Sequence, residues 1–179
     1  MGRGLVIFAS AVAIALTIGA AVASAEGAKV VRSSGDLTVY ADPYGTGTAN
    51  PITGGEARVH SVTTPSGKTT VTLHVSGLPA NRSFGSHVHK LACNDNKAGG
   101  HYQNVPAVPP TSVNDPSVAN PENEVWLDFT TNAAGNGEAH AEVDFAFRAD
   151  GANAVIIHDH HTESGGVAGA KLACLNVNF

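Results

Sequence analysis

Gly85-Ser86-His87-Val88-His89 is the stretch from which the rest of the 179-residue chain can be read. Successive side chains of an extended strand face opposite ways, so His87 and His89 share one face about 7 Å apart, close enough to share one metal ion. A third histidine, His101, follows in Ala98-Gly99-Gly100-His101-Tyr102, and a fourth, His158, ends the apolar run Ala154-Val155-Ile156-Ile157. Neutral imidazoles suit copper or zinc, not calcium or magnesium, which prefer oxygen ligands.

Strand patterns surround this segment. Residues 57–62 and 70–75 alternate with period two on either side of Pro65-Ser66-Gly67-Lys68, a hairpin signature that puts His60 and His74 on the wetter face. Upstream, residues 28–32 and 36–40 read as strands split by a Ser33-Ser34-Gly35 turn. Residues 42–55, with two prolines and four glycines, read as loop. Downstream, five prolines between Asn104 and Pro121 forbid helix and ladder pairing. Strand character resumes over 124–130, 138–147, 154–158 and 172–177, with turns at 132–137 and 149–153 and a glycine-rich loop at 163–169. Trp126 reads as a core or loop anchor. No amphipathic helix interrupts the series, and strands with turn signals every dozen or so residues predict an all-β antiparallel Greek-key sandwich or barrel.

The first residues read as an export signal: Arg3 is the positive end, residues 5–18 the apolar core, and Ala23-Ser24-Ala25 a small-residue cleavage site. The expected organisation is a signal peptide at 1–25 and one domain at 26–179, located outside the cytoplasm and free of the membrane once the leader is removed. Loss of Arg3 takes the formal charge from −5 to −6, with acidic residues scattered, so no nucleic-acid surface is implied. Cys93 and Cys174 are the only cysteines. As a disulfide they would close a loop of about 80 residues and restrict the unfolded chain by about 4 kcal/mol; the alternative is a pair of copper ligands.

Four segments together resemble the copper/zinc superoxide dismutase family. Gly85-Ser86-His87-Val88-His89 resembles its copper-binding strand and Ala98-Gly99-Gly100-His101-Tyr102-Gln103-Asn104 its bridging-histidine loop. Val155-Ile156-Ile157-His158 resembles the segment carrying its fourth copper ligand, and Gly169-Ala170-Lys171-Leu172-Ala173-Cys174 the segment before its last strand. The resemblance implies an eight-stranded Greek-key barrel, copper held by His87, His89, His101 and His158, and a Cys93–Cys174 disulfide tying the ligand loop to the barrel. It implies a secreted, copper-dependent superoxide dismutase, monomeric or homodimeric, with superoxide as substrate and His101 as a proton source that detaches in the reduced state.

Two departures qualify the match. No histidine occurs between Tyr102 and Ala139, so the family's zinc site is expected to be absent, as in its copper-only branch. One of Asp115, Glu122, Glu124 or Asp128 is then expected to orient His101 through its distal nitrogen. His140, His160 and His161 are the remaining candidates for a second metal. Lys171 stands where the family usually has an anion-positioning arginine; lysine keeps the charge but loses the planar two-pronged donor. These departures leave a second reading open, a non-enzymatic copper-binding or copper-buffering protein on the same fold.

Overall fold

The computed structural model describes residues 27–41 and 52–179. The expected leader at 1–25 and most of the 42–55 loop lie outside the described residues. The ten strands are β1 (Lys29–Asp36), β2 (Thr38–Val39), β3 (Glu56–Thr63), β4 (Thr69–Ser76), β5 (Ser83–Phe84), β6 (Ser86–His89), β7 (Phe129–Thr130), β8 (Gly137–Val143), β9 (Ala154–His158) and β10 (Lys171–Asn176). Eight of them form two four-stranded antiparallel sheets, ordered β1-β3-β4-β8 and β2-β10-β9-β6; β5 and β7 make a short ribbon. The fold is all-β, as the turn spacing predicts.

The β3–β4 hairpin forms in the expected register, with Val59 opposite Leu73 and Ser61 opposite Val71, and the turn closes through Thr64 N–H donating to the Lys68 carbonyl at 2.8 Å. Its inward residues Ala57, Val59, Val71, Leu73 and Val75 meet Val88, Val155 and Ile157 from the second sheet in one core. Burying each such aliphatic side chain contributes about 1.5–3 kcal/mol against the entropy of ordering the chain.

The expected Ser33-Ser34-Gly35 turn does not form. Those residues continue β1 and pair with Val59, Arg58 and Ala57, because an edge strand with one solvated face tolerates small polar residues. The chain changes sheets two residues later at buried Leu37, whose N–H donates to Gly55. The 124–130 segment is regular strand only at β7, and the 138–147 segment only to Val143; beyond it Phe145 and Phe147 pack against Tyr102 as aromatic anchors. The last strand is displaced by one residue, from 172–177 to Lys171–Asn176.

Alternation along the second sheet separates two environments. Val88, Val155 and Ile157 face the main core, while Ala154, Ile156 and Cys174 face a smaller outer cluster with Tyr40, Cys93 and Ala98. His87, His89 and His158 share the parity of this outer side. The sheet's outer face is therefore buried beneath loops. Cys93 and Cys174 are joined in a disulfide spanning 81 residues of sequence, so the copper-ligand alternative for them does not hold. The bridge pins the loop after β6 to β10. Cys93 N–H also donates to Asn176 Oδ1 at 2.8 Å, and the Tyr40 hydroxyl donates to the Cys93 carbonyl at 2.8 Å.

Candidate metal centre

Three stretches of chain bring the four histidines together. β6 supplies His87 and His89, both fully buried. Its line of pairing continues beyond His89: Lys90 N–H donates to Gly100, and Tyr102 N–H to Val88 at 2.9 Å, setting His101 beside His89. Buried Tyr102 anchors this return, with Arg148 stacked on its ring and donating to the carbonyls of Gln103 and Asn104. β9 ends at His158, whose N–H donates to Gly85 at 2.7 Å. One ligand nitrogen from each of His87, His89, His101 and His158 lies within 4.8 Å of all the others. Among the described residues this is the one group of three or more His, Cys, Asp or Glu side chains so arranged.

The outer hydrogen bonds assign the inner nitrogens. Carbonyl and carboxylate oxygens only accept, so His89 Nδ1–H donates to Gly99 at 3.0 Å, His158 Nδ1–H to Gly169 at 3.3 Å and His101 Nδ1–H to Glu124 Oε2 at 2.8 Å. That leaves three Nε2 lone pairs facing inward. The Thr162 hydroxyl donates to Asp128 Oδ1 at 2.7 Å and so accepts from His87 Nε2–H at 2.7 Å. His87 Nδ1 is then the fourth inward lone pair, buried and without a hydrogen-bond partner. His89 Nε2 and His158 Nε2 stand 3.3 Å apart as two acceptors. Such a set is repulsive unless a cation lies among the nitrogens, and its all-imidazole chemistry fits copper or zinc. Burial, reinforced by the neighbouring imidazoles, holds His87 and His89 well below the ordinary histidine range and His158 down to about 3. The ligand atoms of these three histidines therefore stay unprotonated across the physiological range.

Glu124 is the carboxylate that orients His101. It is 1% exposed and accepts from His101, from Gln103 Nε2 at 2.9 Å and from Trp126 Nε1 at 2.8 Å. The segment around it runs antiparallel to β6: Val88 N–H donates to Val125 and Leu127 N–H to Ser86. Val125 and Leu127 enter the core, so Glu124, Trp126 and Asp128 face the histidines. Trp126 is thus an anchor at the centre itself, its ring edge-on to His87 at 5.9 Å. Gly166, at φ +73°, lets the covering loop approach this pair; a Cβ there would lie 3.3 Å from both Glu124 Oε2 and His101 Nδ1.

Asp128 and Thr162, which support His87, had no distinguishing pattern in the sequence beyond the alternation that contains Asp128. The other expected residues fall elsewhere. His60, His74 and His140 lie on the outer side of the first sheet, and His161 Nδ1 is 3.7 Å from Asp128 in the loop after β9. Lys171 lies opposite His158 across β9 and β10, and its ammonium donates to the carbonyls of Lys97, at 2.8 Å, and Gly99.

No protein-family model and no curated relative matches the chain. Solved structures do. A SOD-like protein from Bacillus subtilis superposes with a TM-score of 0.53 at 14% identity, over 82% of this chain and 100% of that one. The clock protein EA4 superposes with a TM-score of 0.51 at 18% identity, over 84% and 92% respectively. The chain has a SOD-like fold, and within it a buried four-histidine group able to hold a metal ion.

Proposed function

We propose that the protein is an exported copper-only superoxide dismutase, an oxidoreductase that converts superoxide to dioxygen and hydrogen peroxide without a zinc partner. The observation that carries this reading is the convergence of four buried imidazole lone pairs, one of them on a histidine whose other nitrogen is held by buried Glu124. When bound, copper would supply one-electron redox chemistry, taking an electron from one superoxide and giving it to a second.

The chain's own residues do the rest. His87, His89 and His158 would hold the copper as the three most buried ligands, oriented by Thr162, Gly99 and Gly169. His101 is the more exposed member, its side chain 18% accessible and on the wall of the solvent-facing cavity. Glu124 accepts the proton on His101 Nδ1, which leaves the Nε2 lone pair available to hold copper when it is bound or to carry a proton toward the cavity. In zinc-containing relatives a metal occupies that distal position; here a carboxylate fits the same task. The disulfide agrees with an extracytoplasmic setting, and among the described residues no helix is long and apolar enough to cross a membrane.

One observation favours the second reading, a copper-binding or copper-buffering protein on this fold. Lys171 spends its ammonium on two backbone carbonyls, so the cation at the position of the family's arginine is not free to hold an anion. Superoxide turnover by protein loaded with copper alone, with metal content determined on the same sample, separates the two. Fast dismutation with one copper and no zinc is expected. One tightly bound copper with turnover no greater than that of free aqueous copper would establish the buffering protein instead.

A further inference from the structure

A small anion reaches the histidines through an open cavity of about 330 Å³. Its charged border consists of Lys90, Lys171 and Glu124. Deepening the dismutase reading, on which this step rests, we propose that Lys90 receives the superoxide anion at this mouth, while Lys171 positions the loop that holds His89. The two lysines differ in what their ammonium groups touch. Lys171 is half-buried and donates to Lys97 and Gly99, and the Gly99 carbonyl is the same one that accepts from His89 Nδ1–H. Lys171 therefore fixes a ligand's hydrogen-bond partner and aims its charge into the loop.

Lys90 follows His89 directly, and its exposed side chain makes no hydrogen bond or ion pair among the described residues. Its backbone is fixed by the bond from its N–H to Gly100 at 3.1 Å. A Cβ built on Gly100 would stand 3.6 Å from Lys90 Nζ, so the ammonium lies over the backbone of the residue just before His101. Glu124, the one carboxylate on the cavity wall, is buried and already accepts from three donors, so it does not neutralise this charge. The whole chain carries −5 and repels an anion at long range, which leaves a local cation to draw it in. Among the described residues, Lys90 is the cation on this border whose ammonium has no hydrogen-bond or ion-pair partner.

The test is azide titration of the copper(II)-loaded full chain, followed by its ligand-to-metal absorption band, with turnover recorded in parallel against ionic strength. Removing one charge a few ångströms from the entering anion, in largely aqueous surroundings, predicts that Lys90→Gln weakens azide binding about threefold and Lys90→Glu about tenfold. Salt should no longer slow turnover in Lys90→Gln and should speed it in Lys90→Glu. Lys171→Gln should change azide affinity less than Lys90→Gln, yet alter the copper(II) EPR spectrum through His89. Azide affinity in Lys90→Glu within twofold of the parent, or a larger loss in Lys171→Gln, would overturn the assignment. Azide binding needs no turnover, so an inactive protein that still loses azide affinity in Lys90→Glu keeps Lys90 as the anion receptor and discards the dismutase. Failure of the full chain to bind copper when it is loaded would overturn both.

Discussion

The two four-stranded sheets use histidine in opposite ways. In β1-β3-β4-β8 the ladders are long and unbroken, one face enters the core, and the other carries Arg58, His60, His74, Glu138 and His140 toward solvent. In β2-β10-β9-β6 the strands are short, and every residue of β6 and β9 is buried, because loops and a disulfide cover the second face. On that face His74 and His140 are exposed and keep their water. Beneath the loops the same side chain loses water and turns a lone pair inward, where the protein supplies no donor and a cation fits. Regular pairing supplies a rigid support, and the less regular half supplies the chemistry.

Four changes would break or sharpen this contrast. Removal of a ligand comes first: His158→Ala should weaken copper binding beyond the roughly 100-fold that loss of an outer hydrogen-bond partner can cost. Competition with a copper chelator measures it, and undiminished affinity would remove His158 from the ligand set. The disulfide follows. Cys93→Ser with Cys174→Ser should cost about 2–5 kcal/mol in denaturant unfolding and loosen copper binding as well, since the bridge holds the loop between β6 and His101. An equal loss of stability with unchanged copper affinity would confine the bridge's role to the sheets.

Glu124→Gln keeps the shape but removes the carboxylate charge beside His101, and should lower copper affinity about tenfold to 100-fold. It should also shift the pH profile of any turnover, which a purely structural carboxylate would not do. His140→Ala, on the solvated sheet, is the smallest: copper content unchanged and stability within about 0.5 kcal/mol of the parent. A lost second equivalent of metal in that variant would show that the first sheet binds metal after all.

Much of this was legible in the order of residues. The hairpin at 57–75 appeared because its alternation and its turn agree, and the four histidines stood out because two alternate on one strand, one follows a glycine pair and one ends an apolar run. Glu124 was one of four candidate carboxylates; the choice among them depended on which would pair alongside β6. The sequence reading failed where small residues ambiguous between turn and edge strand, Ser33-Ser34-Gly35, were decided by an available partner strand. Local pattern registers period and turn chemistry, whereas pairing across tens of residues is a property of the folded chain.

Composition and spacing alone determined an all-β chain with two cysteines to be joined or shared and imidazoles suited to a soft or borderline metal. Only the tertiary structure decided that Cys93 and Cys174 are bonded to each other, that Glu124 and not Asp128 holds His101, and that Thr162 stands between Asp128 and His87. It also tied the Lys171 ammonium to two loop carbonyls at the cavity wall and left the Lys90 ammonium over Gly100. The reason is geometric: residue type sets what a side chain can donate or accept, while the partner it reaches depends on which loops the sheets bring within about 3 Å.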